Sequence, residues 1–367
     1  MYLGLRFVAR PLMLAVTLSV GSTFFANVEQ AQAAPVALPP YTLGTFKGVP
    51  PSGATQPDDI AVSADGADLW VGYGNGVDTF GKGGPSNLVE YDISSGAVLQ
   101  NLTIPGHLDG LKIDPQTGQV WATQNEDGNP TLTIVNPKTG KFQTSPAIKS
   151  SLITGGLDDL VFSGPNSAFV TASSQADTTT PVIVEISVKG KKKQDSLKVT
   201  SVLPGAPATV WNVVANQAET GDTIQDPDSM TQDPAGELVL NDRVSHSLFI
   251  VRNPSATNPV LRVPLALVTT PDVPLEVDDT IFTFSLTTGE SSTAGTIFIT
   301  DTTAAGKAGV IYTLTKPYFP TTEVYSAANV LNDVGLVDLN SGLFVPVVTG
   351  FMGVHGLAFS PTSVAIP

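Results

Sequence analysis

A four-residue phrase occurs six times along the chain: an apolar residue or proline, aspartate or histidine, a small or acidic residue, and a residue that is apolar in five copies. The copies are Pro57-Asp58-Asp59-Ile60, Leu108-Asp109-Gly110-Leu111, Leu157-Asp158-Asp159-Leu160, Pro227-Asp228-Ser229-Met230, Val277-Asp278-Asp279-Thr280 and Val354-His355-Gly356-Leu357. With the middle two residues of each copy taken as its first and second positions, the first positions (58, 109, 158, 228, 278, 355) lie 51, 49, 70, 50 and 77 residues apart. Self-similarity of this length marks a repeat architecture, in which each unit buries its apolar face only by stacking on its neighbours.

The units read as strands. No long stretch has a 3.6-residue period; short runs of Val, Ile, Thr, Phe and Tyr alternate with Gly, Pro, Asn and Asp turns. An inner strand follows each phrase, as at Ile60-Ala61-Val62. A second strand follows in five copies, over 69–72, 120–123, 168–171, 237–240 and 296–299, and then come hairpins with polar turns such as Ser95-Gly96. Four strands per unit predict an all-β six-bladed β-propeller, or seven blades with one degenerate. The two long intervals carry surpluses of about 20 and 27 residues, too short for another blade, and are assigned to insertions at 206–225 and 317–332 that would cover a face of the disk. The last unit lacks outer strands of its own, so residues 41–46 are expected to lend one and close the ring.

Residues 1–33 read as a secretory signal: Arg6 and Arg10, an apolar stretch over 11–25, and the small-x-small site Ala31-Gln32-Ala33. Residues 34–367 then form a single propeller domain, exported to the periplasm or outside the cell and free of membrane after cleavage. There is no cysteine, which excludes thiolate metal sites and cysteine nucleophiles. Losing the leader's two Arg and one Glu takes the formal charge from −15 to −16. Such a surface argues against nucleic acid and anionic membrane as partners. The expectation is a monomer that binds a small molecule or a protein.

In a propeller the starts of the inner strands meet at one channel mouth, so Asp58, Asp109, Asp158, Asp228, Asp278 and His355 would form a ring. Two carboxylates ~6 Å apart at an effective dielectric of ~20 repel by ~3 kcal/mol. Either protons are retained or cations sit among them. Oxygen ligands with at most one imidazole favour a hard ion, calcium (Ca2+) first and magnesium (Mg2+) next. Each aspartate alone also suits a local turn, bonding backbone N–H groups nearby.

Asp109-Gly110-Leu111, Asp228-Ser229-Met230 and His355-Gly356-Leu357 resemble the Asn/Asp-Gly-apolar inner-strand motifs of the gluconolactonase, strictosidine-synthase-like and paraoxonase propellers. Asp65-Gly66 resembles the glycine-rich stretches of NHL-type repeats. The resemblance implies a six-bladed propeller whose central column, in hydrolytic members, holds a divalent cation that polarises a lactone or ester carbonyl. Two departures are plain: Pro57-Asp58-Asp59 stands where gluconolactonase-type enzymes have a Glu-Gly-Pro ligand, and Asp replaces the family's Asn. They favour a binding propeller over a calcium-dependent lactone or ester hydrolase. If the chain is an enzyme, His355 or His107 is the candidate catalytic base beside a metal-bound carbonyl or water. His246 reads as a surface turn. Trp70 and Trp121 read as core, and Trp211, inside the first insertion, as a binding-face aromatic. No nucleophile elbow, phosphate loop or His-Glu-x-x-His motif occurs.

Overall fold

Each phrase begins an inner strand, and in four of them the structure places a bulge there. Pro57 pairs with Tyr73 and Ile60 with Val71; Leu108 pairs with Gln124 and Leu111 with Ala122; Pro227 pairs with Asp242 and Met230 with Leu240; Val354 pairs with Asp301 and Leu357 with Ile299. Two residues of the inner strand thus stand against one of its partner, which takes the middle pair off the ladder while the flanking apolar residues stay in register. Ile60, Leu111, Leu160 and Met230 are buried between sheets, so the bulge lets one short phrase serve the core and the axis together.

The computed structural model describes residues 34–188, 197–252, 260–285, 290–302 and 308–362; the leader expected over 1–33 lies outside them. Residues 34–367 form one compact unit. Among the described residues there is no helix. The first sheet contains Pro57–Val62, Asp68–Tyr73, Pro85–Asp92 and Val98–Pro105, and the second Leu108–Ile113, Val120–Gln124, Thr131–Asn136 and Lys141–Thr144. The third contains Leu160–Gly164, Ser167–Thr171, Pro181–Val188 and Leu197–Pro204, and the fourth Pro227–Gln232, Leu238–Asp242, Ser247–Val251 and Val260–Pro264. The turns inside these meanders repeat one chemistry. In the first sheet Asp92 Oδ1 accepts from Ser95 N, and Gly96 takes φ +74°, which a side chain would strain.

The remaining strands break the expected order. Inner strand Thr280–Phe282 pairs not with the following strand but with Val324–Ala328, which continues into Asp333–Asp338 and Leu343–Thr349. The intervening strands Ser292–Asp301 and Val310–Thr315 belong to the sheet whose inner strand is Val354–Thr362. The chain therefore leaves one sheet, lays the middle of the next, returns to finish the first, and only then adds the innermost strand of the second.

This overturns the expectation of six successive four-stranded blades, and of seven with one degenerate. Counted along the chain, the propeller has five blade units: four single sheets, and a compound fifth of two interleaved sheets. No seventh sheet of this kind occurs among the described residues. The strand at 296–299 exists but serves the His355 sheet rather than the Asp278 sheet. Residues 317–332 are not an insertion, since they supply Val324–Ala328. The insertion at 206–225 forms strands Val210–Asn212 and Gln217–Glu219, and Val210–Asn212 lies parallel to Val260–Pro264 at the outer edge of the fourth sheet. Trp211 therefore sits on the rim of the disk and not over its channel.

The inner strands neighbour one another in a closed ring, with Val354–Thr362 beside Pro57–Val62. Two N-terminal strands join the last sheets: Thr42–Thr45 pairs with Val310–Thr315, and Val36–Ala37 pairs with Leu343–Thr349. Between sheets the core is aliphatic with large aromatics set in it, grouped edge to face at Phe46, Tyr91 and Phe298 and at Phe319, Tyr325 and Phe359. Trp70 packs with Leu88, Leu108 and Leu111, and Trp121 with Leu157, Leu160 and Ala168. Truncating either Trp to Ala would cost about 3–5 kcal/mol.

Candidate metal centre at the channel mouth

All six first-position residues line one small cavity on the axis, about 30 Å³ in volume, together with Asp59, Asp159, Asp279 and the small residues Gly110, Ser229 and Gly356. That volume suits an ion or a water molecule rather than an organic ligand.

The second positions form a layer of their own. They alternate around the ring: Asp59, Gly110, Asp159, Ser229, Asp279, Gly356. Each aspartate accepts the next N–H of its own strand through Oδ1, from Ile60, Leu160 and Thr280. Through Oδ2 it accepts an N–H from the neighbouring inner strand, from Leu111, Met230 and Leu357 respectively. The turn-forming chemistry expected of the first column thus belongs to the second, and it links sheet to sheet. The small residues between are a steric necessity. A Cβ at Gly110 would lie 2.4 Å from the Asp158 carbonyl oxygen, and one at Gly356 would lie 2.5 Å from that of Asp58. Ser229 fits because its hydroxyl donates to the Asp278 carbonyl. Lys112 neutralises part of this layer, with Nζ 2.8 Å from Asp159 Oδ2 and 3.4 Å from Asp59 Oδ2. Burial disfavours the ammonium, but Asp159, Asp59 and Asp279 outweigh it and keep Lys112 charged. Burial lifts Asp59 well above the usual carboxylate range and Asp279 to about 7, in both cases against the pull of Lys112.

The first-position ring is electrically lopsided. On one side His355 Nδ1 lies 2.8 Å from Asp278 Oδ2 and 3.5 Å from Asp58 Oδ1. Burial alone would lower the His355 pKa; Asp278 and Asp58 prevail and push it up to about 10. Burial likewise opposes ionisation of Asp278, and His355 overcomes it to leave that carboxyl below its usual value. Next to this pair, Arg243 Nε lies 2.9 Å from Glu276 Oε1 and 3.7 Å from Asp228 Oδ2. The other side holds Asp109, Asp158 and Glu126, for which the described residues supply no ion-pair partner within 4 Å. Burial raises Asp109 well above its ordinary range, and Glu126 and Asp58 raise it further. Asp158 is raised by burial and by Asp109 and Asp228. Burial, Asp58 and Asp127 hold Glu126 up to about 7. Asp109 Oδ2 is buried and has no hydrogen-bond partner among the described residues.

Two sets of ligand atoms each lie within 4.8 Å of one another: Asp58, His107 and Asp109, and Asp109, Glu126 and Asp158. Asp109 is common to both. His107 Nδ1 lies 2.8 Å from the Val77 carbonyl, which can only accept, so in the neutral ring Nε2 keeps its lone pair. The His107 N–H is held by Asn125 Oδ1. His355, in contrast, is an imidazolium with no lone pair to offer. Asp58, Asp109, Asp158 and His107 come together as ligand candidates, whereas Asp228, Asp278 and His355 form an ion-paired arc with Arg243.

Sequence reading did not single out Glu126, Arg243 or Lys112. Glu126 and Arg243 follow second strands Val120–Gln124 and Leu238–Asp242 within two residues, where the chain turns back at the mouth. A charged residue just beyond a second strand is the signal that would have found them.

No family profile and no curated protein matches the chain. Among solved structures, it is similar to PorZ, a bacterial surface component of the type-IX secretion system of Porphyromonas gingivalis, at 14% identity and a TM-score of 0.41, covering 78% of this chain and 33% of that one; it spans about a third of PorZ. It is similar to a protein of unknown function from Bacteroides caccae (12% identity, TM-score 0.45, covering 84% of this chain and 86% of that one). A streptogramin B lyase is matched at 12% identity and TM-score 0.44, covering 88% of this chain and 98% of that one. Likenesses this distant carry no argument about activity, and the β-propeller-like all-β fold rests on the chain's own sheets.

Proposed function

We propose that this is an exported binding propeller that holds one divalent cation, calcium before magnesium, off-centre at the channel mouth between Asp58, His107, Asp109, Glu126 and Asp158. The observation that carries the reading is Asp109: it belongs to both close sets of ligand atoms, and one of its buried oxygens has no hydrogen bond. Orphaned buried carboxylate oxygens are costly, and a hard cation satisfies them. The opposite arc already has its cations in Arg243 and His355, and His355 reaches Asp58, so the added charge is placed beside Asp109, Asp158 and Glu126, which have no ion-pair partner among the described residues. A ligand or protein partner would then meet the cation-bearing face.

Calorimetric titration of the purified protein with calcium, after chelator treatment, tests this. One site is expected; Asp109→Asn should abolish it and Asp278→Asn should leave it in place. Loss of binding in Asp278→Asn with retention in Asp109→Asn would refute the placement.

A second reading, a metal-dependent lactone or ester hydrolase, is favoured by Glu126. A cation beside it would draw its pKa down from about 7, giving a carboxylate at neutral pH able to take a proton from bound water. Turnover of a lactone and aryl-ester panel that requires calcium and is lost in Glu126→Gln would support it.

A further inference from the structure

Past the Lys112 layer the channel opens again. All the inner strands contribute to a second chamber of about 440 Å³, with Val62, Ile113, Phe162, Phe282, Phe284 and Phe359 among its walls. This volume lies within the range of small-molecule sites, which typically pair apolar walls with a few polar groups. Three such groups are Lys112, Asp233 and Asp279, and Asp279 faces both cavities. Phe284 is 42% exposed and stacks edge-on against buried Phe359 at 5.6 Å. A large aromatic is therefore held half in water beside the opening.

The polar end selects charge. The Lys112 ammonium has three N–H donors and meets two carboxylates, Asp159 and Asp59, on the mouth side. One donor is left for an acceptor arriving from the chamber. Asp233 and Asp279 in the walls disfavour an anion, and Lys112 disfavours a cation. We infer that this chamber is a second binding site, for a compact, uncharged, hydrophobic molecule with one hydrogen-bond acceptor, such as a ketone, directed at Lys112. The site is separate from the cation centre and does not depend on it.

The probe for the test is Prodan, an uncharged naphthyl ketone whose emission moves to the blue on leaving water. Saturable one-to-one binding to the purified protein is expected, displaced by 2-acetonaphthone and not by 2-naphthoate or 2-naphthylmethylammonium. Thr231→Trp, which fills the chamber from a half-buried wall position, should abolish binding. Phe284→Ala should weaken it by about fivefold or more through lost apolar contact. Both variants should keep the calcium response of the wild type, so a failure here is distinct from a failure of the metal reading. Absence of saturable binding, unchanged affinity in Thr231→Trp, or equal displacement by 2-naphthoate would each overturn the inference.

Discussion

Replacing Asp159 by Asn should destabilise the protein far more than the same change at Asp109, although both are acidic members of the repeated phrases. Asp159 accepts N–H donors from Leu160 and Met230 and lies 2.8 Å from Lys112 Nζ. An amide can accept through one oxygen only. Oδ1 takes the Leu160 N–H and Oδ2 both the Met230 N–H and Lys112, so the amide NH2 must be turned on one of these sets, leaving at least one buried donor unpaired and Lys112 with Asp59, at 3.4 Å, as its remaining ion-pair carboxylate. Losing a charge-assisted bond and stranding a buried donor together cost about 3–5 kcal/mol. With an unfolding entropy of about 2.1 cal/mol/K per residue, that is a drop of about 4–7 °C in melting temperature for a chain of this size. Asp109→Asn, measured with chelator present, should leave the melt unchanged or raise it slightly, because it removes repulsion from Glu126 and Asp58 without breaking a bond to Oδ2. Differential scanning calorimetry of both variants decides the matter. If Asp159→Asn melts within 1 °C of wild type while Asp109→Asn loses several degrees, the division into a structural layer and a binding layer is wrong.

Calcium should raise the wild-type melting temperature as ln(1 + [L]/Kd) and should fail to do so in Asp109→Asn, which a thermal titration reads directly. In chelator, stability should fall as pH rises from about 4 to 7: Asp279 and Glu126 have folded pKa values near 7, above their unfolded values, so their contribution is full below the unfolded pKa and lost through the folded one. His355 adds a second decline from about pH 6.5 to 10 by the same sign rule, and denaturant melts across pH check both. Gly110→Ala should cost about 1–3 kcal/mol, because its Cβ would press on the Asp158 carbonyl and the Asp159 Cα; a urea melt measures it, and a neutral result would remove the steric account of the alternation.

Much of the architecture could be read from the phrases because a bulge has a sequence signature: polar residues held between two apolar ones that stay in register. The first-column convergence followed from that register. The pairing of 296–299 could not be read, since a strand's own residues carry no record of which neighbour it joins. Thr296–Ile299 would satisfy either sheet, and only the geometry of Ser292–Asp301 against Val354–Thr362 decides it. The alternation Asp59, Gly110, Asp159, Ser229, Asp279, Gly356 was visible in the letters, yet its meaning depends on how closely adjacent inner strands approach. The same holds for the mouth: histidines attract notice as bases, but His355 lies among carboxylates that keep it protonated, while Glu126 arrives from a turn outside any repeat.

The interleaving of the last two sheets has a bearing on how the molecule is made. Val354–Thr362 is laid down after every other described strand, yet it is the innermost strand of its sheet and pairs with Ser292–Asp301, formed more than 50 residues earlier. A chain emerging from its N-terminus must keep that groove unfilled until Val354–Thr362 appears, and Thr42–Thr45 has only the far edge of the same unfinished sheet to dock on. Contacts this distant in sequence slow folding, because the entropy of closing the loop is lost before any pairing compensates. The ring should therefore close only once Val354–Thr362 has been made, in one late step, and a chain cut before Val354 should remain protease-sensitive.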